Sequence, residues 1–560
     1  MQTTTLDQQT KAPARSAFVS AVSRLLRDPW SLAALFFATL VLVPVLVVMS
    51  SFLHPVQEVW RHLFEHVLAD LLWNTLWLVL GVGSGTLLLG VSLGWLTAVY
   101  EFPGRRILSW ALLLPMAIPA YVFAFVFIGL FDFTGPVQGW LREVFGSSSW
   151  FPRIRSTGGV ILVMSLALYP YVYLLARNAF SSQGKRALEA AQSLGHSRFR
   201  GFFNVALPMA RPWIVGGLML VLMETLADFG TVSVFNYDTF TTAIYKTWFG
   251  MFSLDAASQL ASLLVIIVFV LLVLEQLSRS RMRYTQAGRH QENNRITLCG
   301  WAAWGASLFA GLVLAIAFVI PLIQLLFWAV GVFEQDFDSR YFGFLHHTLL
   351  LAGIAAVLTA VGALLLAYAA RRNPQGMTRH LVRIATIGYA LPGTVLAVGI
   401  FVAVAWLDRN LLQLIRPLIE IEAGMLLQGS VLIMLVGYVV RFMAVGFSPV
   451  DSAMQRMPPS LDDVSRTLGV SNLTMLRRVH APILRGGLVT ALILVFVDVM
   501  KEMPITLMTR PFGWDTLAVR IFEMTSEGEW ERAALPAVTL VLAGLIPIIF
   551  LSRHGNQNEK

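Results

Sequence analysis

Residues 188–211 read LEAAQSLGHSRFRGFFNVALPMAR, and residues 462–485 read DDVSRTLGVSNLTMLRRVHAPILR. Superposed without a gap, Glu189 falls on Asp463, Leu194-Gly195 on Leu468-Gly469, Ser197 on Ser471, Pro208 on Pro482 and Arg211 on Arg485. The register holds outward, with Glu224 and Asp228 on Asp498 and Glu502, and Leu277-Ser278-Arg279 on Leu551-Ser552-Arg553. Upstream, after a shift of one, Asn74-Thr75-Leu76 falls on His347-Thr348-Leu349 and Pro119 on Pro392. A polar loop repeated in register inside an apolar chain marks a tandem duplication, so every feature of one half is read beside its counterpart.

The chain is 57% hydrophobic and 13% charged, with a mean hydropathy of +0.69. A soluble core could not hide that much apolar surface, and runs of roughly 20 apolar residues are long enough to cross a bilayer as helices. Such runs occupy about 31–53, 69–100, 107–131, 159–177, 213–232 and 256–277, then 298–330, 346–370, 381–406, 424–440, 486–505 and 533–552. The expected fold class is all-α, an integral membrane protein with about twelve transmembrane helices in two tandem sets of six. Continuous apolar runs exclude a β-barrel, whose strands alternate in polarity.

Most of the 41 Lys and Arg fall on one side if the N-terminus is cytoplasmic, which puts both repeated loops and both termini in the cytoplasm. The net charge of +9 is dispersed over short loops beside these helices, so it speaks for membrane topology and not for nucleic acid. The N-terminal tail runs into a full span without a marked cleavage site and is expected to stay attached. Cys299 is the only cysteine, which excludes internal disulfides and thiolate metal clusters. The expected organisation is an N-terminal tail (1–30), a first half (31–277), a polar basic linker (278–297), a second half (298–553) and a C-terminal tail (554–560).

Within the first loop, good helix formers run to Leu194, and Gly195 stands where a left-handed cap would end the helix. Ser197 and Ser471 can each cap a second short helix, and the residue before Pro208 or Pro482 is expected to leave helical conformation. Phe199, Phe202 and Phe203, or Leu473, Leu476 and Val479, would give each loop an apolar face beside Arg198, Arg200, Arg477 and Arg478. One such loop would be read as an amphipathic helix on lipid headgroups. Two copies with Gly and Pro at matched spacing suit docking to another protein.

This pattern resembles the cytoplasmic loop of ABC importer permeases, with Glu189-Ala190-Ala191, Gly195 and Val205-Ala206-Leu207-Pro208 in the matching places. The second copy departs from it, with Asp463-Val464-Ser465 for Glu-Ala-Ala and Ala481 before Pro482, while Gly469 and Pro482 are kept. Lys501-Glu502-Met503-Pro504, Arg510-Pro511-Phe512, Asp515-Thr516-Leu517-Ala518 and Asp228-Phe229-Gly230-Thr231 are similar to fused, two-half permeases of the ferric iron transport family. Permeases for thiamine share that layout, and relatives for polyamines, sulfate or phosphonates share the general design. The resemblance implies two type I permease halves in one chain, two copies of a separate ABC ATPase under the loops, and a periplasmic or lipid-anchored substrate-binding protein outside. It also implies ATP and Mg used by the ATPase, no cofactor bound by this chain, and the bacterial inner membrane as its place.

Glu224 and Asp228 are spaced one helical turn apart, and Asp498 and Glu502 repeat that spacing. Carboxylates in a membrane helix are costly unless they face protein, water or a partner charge. They are expected either to line a path for a cationic or chelated solute or to hydrogen-bond loop backbone and pair with Arg510 and Arg520. Tyr169, Tyr171 and Tyr173 offer phenolate oxygens to a hard cation, though tyrosines in membrane helices more often pack or anchor. Pro119 and Pro392 are expected to kink their spans.

The sequence holds no GxxxxGK[ST], HExxH or GxSxG, and adjacent His346 and His347 point apart on a helix. An enzyme therefore finds no candidate nucleophile or metal ligand set. A gradient-driven secondary transporter, with the four carboxylates as proton carriers, is the alternative from another class.

Overall fold

A computed structural model describes residues 27–53, 57–193, 195–280, 295–374, 376–415 and 427–557. Residues 1–26 of the expected tail, 281–294 of the linker, Leu194, the start of the tenth expected span and the last three residues lie outside the described residues. The protein is all-α, with one short parallel strand pair, Tyr100 opposite Ile296 and Glu101 opposite Thr297, among the described residues. Ten described helices are long and apolar enough to cross a membrane, and an eleventh arises if Asn472–Ile483 and Arg485–Lys501, bent by 77°, form one span. The twelfth expected run forms the helix Trp530–Gln557. Large apolar side chains such as Phe36, Leu46, Leu88, Phe269 and Phe327 are exposed along these helices, as lipid contact requires.

Both halves run through the same series. A long helix, Leu68–Val99 or Ser339–Arg372, leads to a short amphipathic one, Arg105–Ala111 or Met377–Ala385. A tight turn follows, Leu114–Ala117 or Ile387–Ala390, and then Ala120–Phe131 or Gly393–Ile415. The expected spans 107–131 and 381–406 are therefore broken helices and not kinked ones. Proline cannot donate to the preceding turn and pushes the residue before it into extended backbone, as Ile118 shows at φ −88° and ψ 119°.

The halves differ further on. In the first, Thr157–Ser193 is one 37-residue helix that runs directly into the loop. In the second, Val431–Gln455 stops, Pro458-Pro459 turns the chain, and Ser460–Thr467 begins a separate helix. The first half carries Gly184-Lys185 at the matched positions, which a helix tolerates better than two prolines.

Two compact units cut across the halves: one holds residues up to Val43 with Ile354–Tyr389 and Tyr438–Val495, the other everything else. Inside the smaller unit, the start of the helix Pro29–Ser50 packs on second-half elements. Trp30 meets Tyr368 edge-on at 4.6 Å, Ser31 Oγ lies 2.8 Å from Thr378 Oγ1, and Phe37 fills the space where Gly362 lacks a side chain. Inside the larger unit the exchange is reciprocal. The strand Ile296–Thr297 pairs with first-half residues, Ser307 Oγ donates to Pro103 O at 2.7 Å, and Trp328 lies against Gly129. The helix Pro29–Ser50 of the first half thus packs with the second, and the helices Trp301–Leu314 and Ile320–Asp336 of the second pack with the first.

Candidate coupling loops and membrane carboxylates

In the first loop Leu188 and Ala191 are buried and Glu189 is exposed; the side chain of Ala190 lies outside the described residues. Gly195 has φ +82°, and the bonds Gly195 N–H to Gln192 O and His196 N–H to Ala191 O close the helix end. Ser197 Oγ accepts from Arg200 N at 3.4 Å and caps the short helix Arg198–Gly201. The second loop repeats this geometry: Gly469 has φ +73°, Val470 N–H donates to Ser465 O, and Ser471 Oγ accepts from Thr474 N at 3.4 Å.

The prolines behave differently from expectation. Leu207, at φ −65° and ψ −46°, and Ala481, at φ −58° and ψ −41°, both stay helical. A wide, π-type turn precedes each, Phe202–Ala206 and Leu476–His480, and it absorbs the donor that Pro208 or Pro482 lacks. Both prolines are exposed. The apolar face is also redistributed. Phe199 and Phe203 are exposed in the first loop and Leu473, Leu468 and Val464 in the second, whereas Phe202 is half-buried and Leu476 is in the core.

The second loop rests on a charged network that motif comparison missed. Arg371, at the end of the helix Ser339–Arg372, donates to Asp462 Oδ2 at 2.7 Å and to the carbonyls of Met454, Met457 and Pro458 at 2.9–3.1 Å. Fully buried His480 lies with Nε2 2.9 Å from Asp462 Oδ1 and edge-on to Tyr368. Burial pushes the Asp462 carboxyl up, but the hydrogen bonds from Arg371 and His480 outweigh it and hold the group below the ordinary carboxylate range. Asp463, aligned with Glu189, is instead exposed beside Arg466. The available signal was an arginine ending an apolar run, with an acid and a histidine inside the loop.

The four carboxylates divide into two pairs. The helix Leu207–Ala227 ends before Asp228, so Asp228 does not continue the face of Glu224. Its carboxylate accepts from Thr231 Oγ1 at 2.9 Å and Val232 N at 3.1 Å, capping the short helix Gly230–Val234. Glu502 stands just past the helix Arg485–Lys501 and accepts from Ile505 N at 3.1 Å in the following turn, Pro504–Thr509. Arg510 and Arg520 pair with Glu523, and Arg510 also with Asp515, so they are engaged elsewhere. Glu224 and Asp498 remain on their helices, half-buried.

Tyr169 and Tyr173 have other work. Tyr169 Oη donates to Leu112 O at 2.9 Å, and Tyr173 Oη and Arg177 Nη1 donate to Ser109 O at 2.7 and 3.1 Å. Lys501 Nζ donates to Met116 O at 3.3 Å. These groups satisfy carbonyls that the broken helix before Pro119 leaves without intrahelical partners, a necessity inside a membrane. Among the described residues no group of three or more His, Cys, Asp and Glu is placed to hold a metal ion. His347 stacks on Trp514 at 4.7 Å.

Paired capped loops and paired carboxylates on an all-helical membrane scaffold agree with comparison to known proteins. The family described as binding-protein-dependent transport system inner membrane component matches twice, over residues 90–284 and 362–554. The chain belongs to this family. It is a multi-pass permease of the ABC type with two family domains in one chain, and its family works with a substrate-binding protein and an ATPase.

The permease is 26% identical over 501 residues to an Fe(3+)-transport system permease protein, FbpB 2, of Haemophilus influenzae, covering 88% of this chain and 91% of that protein. It is 23% identical to the ferric transport system permease protein FbpB of Actinobacillus pleuropneumoniae, over 78% of this chain and 64% of that one. The sulfate transport system permease protein CysW of Escherichia coli matches 35% of this chain at 29% identity, with 66% of its own length covered. Both family matches contain their repeated loop, so the capped turns at Gly195 and Gly469 lie at corresponding places within the two matched domains.

Proposed function

We propose that this permease imports ferric iron, free or chelated, across the bacterial inner membrane, driven by ATP and Mg that a separate pair of ATPase subunits uses. The likeness to a ferric permease over nearly the full length of both chains is the observation that carries this reading. The two sequence halves, 31–277 and 298–553, act as the two halves of the pore. Each repeated loop, with Glu189, Ala190, Ala191, Gly195 and Pro208 in one and Asp463, Gly469 and Pro482 in the other, receives one ATPase subunit on the cytoplasmic side, where both termini also lie. A substrate-binding protein, periplasmic or lipid-anchored, delivers the solute to the opposite face.

Glu224 and Asp498 line the path, their carboxylate oxygens suiting a hard cation or its chelate. Asp228 and Glu502 hold the short helices that flank it. Closure of the ATPase pair moves the loops and rocks the halves between inward and outward access. The chain supplies a path and a lever, without catalysis of its own.

Uptake of labelled ferric iron by cells carrying the permease, its ATPase and its binding protein tests this. Wild type is expected to import iron, and Glu224→Gln with Asp498→Asn to fall to background while the protein stays in the membrane. Gly195→Arg with Gly469→Arg is expected to do the same. Wild-type cells that take up no iron sink the ferric assignment and turn attention to thiamine. Uptake that survives loss of the ATPase favours a gradient-driven transporter.

A further inference from the structure

A cavity of about 390 Å³ opens beside the second repeated loop, between the end of Ser339–Arg372, the helix Met377–Ala385 and the helix Val431–Gln455. Val382, Phe447 and Met454 give it an apolar wall. Arg379 and Arg383, one turn apart and both exposed, border it, with Arg371 behind them. The acid in the lining is Asp451, which accepts from Gln455 Nε2 at 2.7 Å. Arg371 is committed to Asp462, and Arg379 donates to Pro374 O at 3.2 Å. Arg383 makes no ion pair among the described residues. Two guanidiniums therefore face the cavity against one carboxylate.

An apolar wall with a basic mouth at the ends of membrane helices fits an amphiphile with an anionic head. The first half keeps only part of this lining: Arg106 matches Arg379, but Glu101 stands for Pro374 and Trp110 for Arg383, and the strand Ile296–Thr297 pairs beside Glu101.

We propose that this cavity binds one anionic phospholipid per chain, its phosphate between Arg379 and Arg383 and its acyl chain along Val382, Phe447 and Met454. The bound lipid touches the arginine that grips the second loop, so it sits where leaflet composition reaches the coupling machinery of that half.

Native mass spectrometry of the full-length permease, purified in its complex from phosphatidylglycerol or phosphatidylcholine, tests this. Wild type is expected to retain one phosphatidylglycerol and no phosphatidylcholine, and Arg379→Gln with Arg383→Gln to retain neither. Arg383→Glu, a single change at an exposed position that reverses the charge of the mouth, is expected to lose the lipid as well and guards against a double variant that misfolds. Equal retention of both lipids, or phosphatidylglycerol still held by Arg383→Glu, overturns the proposal. Displacement by millimolar inorganic phosphate overturns the lipid assignment and leaves a free-anion site.

Discussion

Beneath the first loop, Trp95 packs against Phe180 at 5.0 Å and Phe202 at 4.7 Å, with Leu188 and Ala98 buried around them. At the matched positions of the second half stand Tyr368, Met454, Leu476, Asp462 and Arg371, and His480 takes the place of Ala206. The two loops have the same glycine cap, the same serine cap and the same wide turn before proline. One is held by aromatic packing, the other by directional bonds among charged groups set beside an apolar cluster that includes Met454, Met475 and Leu476. The second foundation has a mechanical reason. Its helix is interrupted at Pro458-Pro459, and the Arg371 guanidinium bonds the carbonyls on the near side of that break and Asp462 on the far side. Where the first half has continuous helix, the second has an arginine splint.

Removing the splint is the largest test. Arg371→Ala removes one bond from each of three carbonyls, of which Met454 O and Pro458 O keep the amides of Met457 and Leu461, and leaves Asp462 with His480, in a site where both charged partners are mostly buried. Breaking such a pair costs about 3 kcal/mol or more. Thermal unfolding and limited proteolysis within 455–485 are expected to show a loosened second loop and an unchanged first one. Equal proteolysis of variant and wild type would remove the splint from the comparison. Trp95→Ala is the mirror experiment: half-buried aromatic packing is lost, at about 2 kcal/mol, and only the first loop loosens.

Acid separates the two foundations more gently. The folded Asp462 carboxyl lies below its unfolded value, so its contribution is fully present above the ordinary carboxylate range and disappears as pH falls through the folded value. Hydrogen exchange at the amides of 460–480, corrected for the intrinsic pH effect, is expected to speed up below about pH 4, where an unperturbed aspartate titrates. The first loop, with Leu188 in the matched place, is expected to show no such step. Asp462→Asn should abolish the pH dependence, and a step that persists in that variant would assign it to another group.

The duplication, the all-helical membrane class and the capped turns were legible because they rest on local rules, namely apolar run length, glycine at positive φ and serine at an N-cap. The splint was not, since Arg371 and Asp462 are 91 positions apart and no periodicity connects them. For the same reason Asp228 and Glu502 were grouped with Glu224 and Asp498. Spacing by four implies a shared helical face only while the helix lasts, and both helices end one residue before the second acid. Tyr169 and Tyr173 looked like candidate ligands until the break before Pro119 supplied carbonyls that required donors. Legibility failed wherever a side chain answers to backbone broken elsewhere.

The smallest effect sharpens the shared part. Ser197→Ala and Ser471→Ala each remove one cap bond, made at 3.4 Å at an exposed helix start, for about 0.5–1 kcal/mol. If the foundations differ and the turn itself is common, the two losses should agree within a few tenths of a kcal/mol. Ser471 Oγ also lies 2.8 Å from Thr474 Oγ1, which has no counterpart at Arg200, and Thr474→Ala alone measures that contact. A Ser471 loss that exceeds the Ser197 loss by more than the Thr474 loss would mean that the charged network reaches into the cap, because the hydroxyl would then support more than its own helix start. Equal losses would confine the asymmetry of the permease to what lies beneath the loops, which is where the lipid cavity and the splint both sit.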